Sequence, residues 1–208
     1  CTAEPVFGAD FDDKAACGHA GGASTVTLYG GKGQANARVV FERGERRKSE
    51  TLWESGTVRE LRETTPTGSL ERRFAADGVK LREVQWLAVG EPAAAAGARP
   101  RSVKVLEQEF HTSGTLVHET RWRAGERGAE LVAEARWYLN GQLKERSEIV
   151  EAGGVRTRRD TSYHDNGKPS FEGSRRLASA GERADLAVGV HKGFDETGRL
   201  RSESVYDE

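Results

Sequence analysis

Trp137-Tyr138-Leu139-Asn140-Gly141-Gln142-Leu143-Lys144-Glu145 reads as a strand end, a tight turn and a strand start. Asn-Gly is the strongest short hairpin signal, because both central residues of a type I′ turn need positive φ, which Asn and Gly tolerate. The aromatic residues ahead of the turn are placed to pack across the strand pair, where a sheet gains side-chain energy. The stretch recurs as Tyr163-His164-Asp165-Asn166-Gly167-Lys168-Pro169 and as Phe194-Asp195-Glu196-Thr197-Gly198-Arg199-Leu200. Earlier copies are Leu52-Trp53-Glu54-Ser55-Gly56-Thr57-Val58, Phe74-Ala75-Ala76-Asp77-Gly78-Val79 and Phe110-His111-Thr112-Ser113-Gly114-Thr115-Leu116. The turn glycines are therefore Gly56, Gly78, Gly114, Gly141, Gly167 and Gly198. Type I′ geometry is expected at Asn140-Gly141, Asn166-Gly167 and Asp77-Gly78.

A second turn alternates with the first, at Arg43-Gly44-Glu45-Arg46, Ala124-Gly125-Glu126-Arg127 and Ala180-Gly181-Glu182-Arg183. Turns at roughly 8–12-residue intervals with short strands between them predict an all-β meander, and fixed-period self-similarity predicts a repeat array. The strands fall at 25–29, 37–41, 46–53, 57–64, 69–75, 79–88, through 102–177, and at 187–194 and 199–206. Two longer loops, 88–101 and 178–187, interrupt the period. Residues 79–88 carry apolar side chains on both faces. Period-two alternation places Leu116, His118, Thr120 and Trp122 on one face, and Ala129, Leu131, Ala133, Ala135 and Trp137 on one face of the next strand.

Aromatic-aromatic-x-Asn-Gly-x-Leu-x-Glu, followed by a second glycine turn, resembles the bacterial MORN-like (YwqK-type) hairpin-repeat family, whose members are often labelled antitoxin components. The resemblance covers roughly residues 36–208 and is most specific at 137–145 and 163–172. It implies a single-layer antiparallel meander of β-hairpin repeats. The family label implies an alternative role, an antitoxin or immunity-type protein that neutralises a partner toxin.

Composition agrees with a single layer. Charged residues make up 31% and hydrophobic residues 36%, a poor supply for a thick two-sheet core and a good one for a sheet wet on much of both faces. Arg and Glu mix finely, as in Arg59-Glu60-Leu61-Arg62-Glu63, and are expected to form cross-strand pairs. A formal net charge of −1 does not build the one-signed field of a nucleic-acid binder. No apolar run approaches the roughly 20 residues of a membrane helix.

Residues 1–23 read as an N-terminal arm, and 24–208 as the repeat domain. A start at Cys1 resembles the mature end of a bacterial lipoprotein, which would carry acyl chains on Cys1. With no methionine in the chain, an N-terminal segment is expected to have been removed. The alternative for Cys1 is a disulfide to Cys17 in an exported protein. The lipoprotein reading implies export to the outer membrane, periplasm or cell surface, with a lipid anchor. Asp10-Phe11-Asp12-Asp13 lacks the glycine and glutamate of a calcium loop, since Ala15 and Gly21 occupy those positions. Gly30-Gly31-Lys32-Gly33 lacks the Ser/Thr and the following helix of a phosphate loop. His111 and His118 flank one turn and make half a zinc site at best.

The expected function is a non-catalytic protein-binding or scaffold module of a bacterial cell-envelope assembly, without enzyme activity, cofactor, metal or nucleic acid. Candidate contact residues are Trp53, Trp86, Trp122, Trp137, Tyr138 and Tyr163, for which packing within the sheet is the competing role. A deep pocket with converging titratable groups would argue for an enzyme instead.

Overall fold

The computed structural model of the protein describes residues 22–89, 101–126, 128–178 and 184–207. The expectations for Cys1, Cys17 and residues 10–13 fall outside them, as do those for 90–100 and 179–183. Fourteen strands follow one another in the sheet in chain order: β1 (Ala23–Tyr29), β2 (Ala35–Glu42), β3 (Glu45–Leu52), β4 (Val58–Thr65), β5 (Gly68–Phe74), β6 (Lys80–Val89), β7 (Arg101–Phe110), β8 (Leu116–Gly125), β9 (Gly128–Trp137), β10 (Leu143–Ala152), β11 (Val155–Tyr163), β12 (Pro169–Arg176), β13 (Leu186–Phe194) and β14 (Leu200–Tyr206). Every pair whose register is described is antiparallel. The fold is an all-β, single-layer hairpin meander, as the turn spacing predicts. It divides into two compact units, Cys1–Lys104 with Thr112–Gly114, and Val105–His111 with Thr115–Glu208.

The repeat motif is a cross-strand pair closed over a turn. Leu52 faces Val58, Phe74 faces Lys80, Phe110 faces Leu116, Trp137 faces Leu143, Tyr163 faces Pro169 and Phe194 faces Leu200. The turns differ from the expected type I′. Their six glycines have φ between +82° and +89°, but Arg43 is the single non-glycine with positive φ among the described residues. Asn140, Asn166 and Asp77 therefore do not adopt the left-handed conformation. The Gly141 N–H donates to the Tyr138 carbonyl and the Tyr138 N–H to the Gln142 carbonyl. This is a type I turn followed by a left-handed glycine, the three-residue hairpin loop. The Asn side chain serves it differently from the expectation: Asn140 Oδ1 accepts the Gln142 N–H at 2.9 Å and Asn166 Oδ1 the Lys168 N–H at 3.0 Å. Type I′ angles do occur in the other series of turns, at Arg43-Gly44 (φ 52° and 77°) and Gly153-Gly154 (φ 58° and 78°).

Each long turn is followed by a slip in the ladder. Leu52↔Val58 is succeeded by Thr51↔Glu60, and Phe110↔Leu116 by Glu109↔His118, so one residue bulges and the side-chain alternation reverses. Two expected faces are corrected for this reason. Leu116 stands on the face opposite His118, Thr120 and Trp122. On β9 a further slip between Arg121↔Ala133 and Trp122↔Leu131 separates Ala129 and Leu131 from Ala133, Ala135 and Trp137.

The turns of one edge are bracketed to one another. In the first unit Trp53 Nε1 donates to the Phe74 carbonyl at 3.3 Å and Thr57 Oγ1 to the Ala76 carbonyl at 3.0 Å. In the second unit Tyr138 Oη donates to the Tyr163 carbonyl at 2.9 Å, Asn140 Nδ2 to the Asp165 carbonyl at 3.0 Å and Asn166 Nδ2 to the Glu196 carbonyl at 2.8 Å. Each satisfies a turn carbonyl that the ladder leaves over. The bulged residue adds a cation over the ring, Arg59 over Trp53 at 5.7 Å and Lys144 over Tyr138 at 5.6 Å.

The best-buried apolar side chains lie in the first unit: Val26, Val39 and Phe41, packed with Leu28, then Leu52, Val84 and Val103. On β6, Glu83 and Val84 point to opposite faces and both are buried, as its two-sided apolar pattern predicts. Replacing Gly141 by Val is expected to destabilise by about 1–2 kcal/mol, because φ is +85° while open space surrounds the added side chain. A thermal melt unchanged from wild type would remove the left-handed assignment.

Candidate functional site

The six aromatic candidates have different surroundings. Trp53 and Tyr138 spend their polar atoms on the turn brackets, and Tyr163 supplies the carbonyl that receives Tyr138. Trp122 and Trp137 stand on opposite faces of the second unit, since Trp122 faces Leu131 and Trp137 continues the Ala133, Ala135 row. Trp137 closes one end of a groove of about 290 Å³. Its floor is Ala133 and Ala135, and Arg121 and Arg146 stand on the flanking strands.

Trp86, on β6 in the first unit, lines the more spacious groove, of about 730 Å³. Cross-strand partners fix that face: Trp86 stands opposite Ser69, Ser69 opposite Thr64, Val84 opposite Glu71 and Glu71 opposite Arg62. Phe41, Arg46 and Arg47 bring in β2 and β3, and Pro66 the short turn. A smaller groove of about 330 Å³ shares Arg46, Arg62 and Glu71 with it and reaches Thr51. Arg62 is bound to Glu71, and Arg47 Nη2 lies 2.7 Å from Glu45. Two lining atoms stand out. Trp86 Nε1 and Thr51 Oγ1 are shielded from water and have no hydrogen-bond partner. A buried orphan donor costs about 1–3 kcal/mol, so each is stabilised by whatever brings an acceptor.

The opposite face of this unit carries its most enclosed polar cluster. Glu83, 6% exposed, accepts from Arg72 Nε at 2.9 Å, Lys80 Nζ at 3.0 Å and Gln85 Nε2 at 3.0 Å. The bulge makes this possible: Phe74↔Lys80 and Arg73↔Arg82 place Lys80 on the face of Glu83, three residues away. Burial pushes the carboxyl up, and the three donors with the Lys80 charge more than offset it, so its pKa falls to about 2. A carboxylate held so firmly ionised is a poor proton donor or acceptor near neutral pH.

Two further carboxylates in the second unit behave alike. Burial raises Glu134, and the hydrogen bond from His118 with the charge of Arg136 brings it below its ordinary value. Burial raises Asp160, and Ser147, Arg158 and Arg175 bring it below. His118 Nε2 lies 3.0 Å from Glu134 Oε1 and Nδ1 3.7 Å from Glu109, so this histidine is tied to carboxylates. Among the described residues no three or more His, Cys, Asp or Glu side chains are placed to hold a metal ion. The Glu83 cluster was not legible beforehand, because its parity depends on a bulge that alternation does not reveal.

No protein-family model matches the chain, and no curated protein matches it.

Proposed function

We propose that this protein is a non-catalytic binding module whose first unit takes a protein segment into the Trp86 groove. The orphaned Trp86 Nε1 carries the reading. A backbone carbonyl or carboxylate of a partner that presses aside the side chains shielding it would supply the acceptor it lacks, and the arginines of the lining, Arg46, Arg47 and Arg62, outnumber its acids, Glu45 and Glu71, by one. Phe41, Pro66 and Ala88 give the apolar contact that an interface centre needs. The MORN-like resemblance supports a binding role for the array, and a scaffold in an assembly is the form it takes here.

The test pairs identification with two substitutions. Cross-linking in native extract followed by mass spectrometry identifies the partner, and titration calorimetry then compares variants. Trp86→Ala is expected to weaken binding at least tenfold, about 1.4 kcal/mol. Trp86→Phe, which keeps a ring and deletes the orphan donor, is expected to weaken binding too while melting within about 1 kcal/mol of wild type. Wild-type affinity in both variants would overturn the reading. A partner that is a toxin inactivated on binding would assign the neutralising role implied by the family label.

A further inference from the structure

The second unit presents a face whose two ends carry opposite charge. One cross-strand row runs Glu109↔His118↔Arg136↔Glu145↔Ser162↔Phe171. Glu134, two residues from Arg136 and opposite Ser147, stands on the same face. Farther along the same strands, Ile149, Arg158, Arg175 and Ala187 form another row, with Asp160 and Arg156 two residues to either side of Arg158. The β7–β10 end thus holds Glu107, Glu109, Glu134 and Glu145 against the guanidinium of Arg136, with Glu151 at its border, opposite Arg156 and 2.8 Å from Arg123 Nη2. The β11–β12 end holds Arg156, Arg158 and Arg175 against the carboxylate of Asp160. Farther along β8, β9 and β10 on the same face lie Trp122, Leu131 and Ile149, all half-buried.

The internal pairs do not cancel the imbalance. Asp160 is shared, with Arg158 Nε at 2.7 Å and Arg175 Nε at 3.1 Å. Directly opposed like charges such as Arg158 and Arg175 are unfavourable in a sheet, and one carboxylate bridging two guanidiniums leaves positive charge over. At the other end Arg136 lies 3.1 Å from Glu134 and 3.8 Å from Glu145, one cation for the two, while Glu109 lies 3.7 Å from His118.

We propose that this face docks against the same face of a second copy of the chain, related by a two-fold axis lying in the interface between the two charged ends. The acidic end of each copy then covers the basic end of the other, which is the isologous arrangement of a two-fold dimer. The size fits: six strands at about 4.8 Å spacing and about eight residues at 3.3 Å give roughly 750 Å² per copy, close to the roughly 800 Å² of a standard interface. Leu131 and Ile149, on the two middle strands, give it an apolar centre. This pairing is independent of the Trp86 groove and stands or falls separately from it.

The experiment is sedimentation of the full chain with two charge-swapped variants. Wild type at about 100 μM and low salt is expected at twice the 22.7 kDa chain mass, and about 0.5 M salt is expected to weaken association at least tenfold through screening. The E109K/E145K variant leaves both ends net positive, with Glu134 and Asp160 in place, and R156E/R175E leaves both ends net negative, with Arg136 and Arg158 in place. Each alone is expected to be monomeric, and a 1:1 mixture is expected to restore the dimer mass. A variant without a cooperative melt is replaced by its single-site parent, E109K or R156E. A wild type that stays monomeric at every salt concentration overturns the proposal. So does a variant that dimerises like wild type, or a mixture of folded variants that remains monomeric.

Discussion

Glu83→Gln is expected to destabilise the protein by about 3 kcal/mol at pH 7 and by only about 1 kcal/mol at pH 2.5. The amide keeps the shape and removes the charge that Arg72, Lys80 and Gln85 converge on. The sign follows from the direction of the shift. The carboxyl has a pKa of about 2 in the folded chain against 4.5 for the free side chain. An acid with a lowered folded-state pKa adds stability that is complete above its unfolded pKa, and that stability drains away as pH falls from about 4.5 toward 2. Glu134 and Asp160 are lowered as well, so the wild type should lose stability through the same acid range. Urea unfolding of both proteins at pH 7 and pH 2.5 reads the difference. A gap between them that stays constant with pH would show that the Glu83 charge is not what holds the cluster.

Gly68→Ala is expected to cost about 3 kcal/mol or more. Gly68 begins β5, opposite Leu87, and a β-carbon there would collide with the backbone carbonyl oxygen of Trp86. A flexible side chain could swing aside; a backbone carbonyl in the ladder cannot, so β5 and β6 must separate locally. The contrast with Gly141 is instructive. There the cost is conformational and the space is open, whereas at Gly68 the φ is ordinary and the space is missing. Because Trp86 shares the strained segment, Gly68→Ala should also disturb the groove. A melt within about 0.5 kcal/mol of wild type would mean that the two strands approach less closely than described.

The architecture was readable because it is local. Asn140-Gly141 and its copies are short-range signals, and an apolar residue four before the glycine and two after it turns out to be a directly opposed pair, as Trp137 and Leu143 show. The strand limits given for 25–88 and 187–206 hold within two residues, and the span 102–177 holds six strands. What alternation could not supply was parity across bulges. Leu116 and His118 read as neighbours on one face, and the slip after each long turn separates them. The same kind of slip hid the Lys80–Glu83 contact and with it the most enclosed charge among the described residues. The tryptophans were visible as types, but nothing in the sequence distinguishes Trp53, whose Nε1 is occupied by a turn carbonyl, from Trp86, whose Nε1 has no acceptor. That difference arises from which backbone groups the register brings near, a property of the assembled sheet.

The side-chain brackets between long turns lie along one edge of each unit, and the short turns lie along the other. On the bracketed edge, lengthening a turn would pull Asn140 away from the Asp165 carbonyl, or Asn166 away from that of Glu196, so insertions there disturb a neighbour as well as the turn itself. On the short-turn edge Arg123, near the end of β8, reaches Glu151, near the end of β10, at 2.8 Å, and the two long connections, after β6 and after β12, both leave from strand ends on that side. Within each unit the long-turn hem is thus stitched to itself through main-chain carbonyls. A guest peptide grafted between Gly153 and Gly154 would leave the Asn140 and Asn166 stitches uncut.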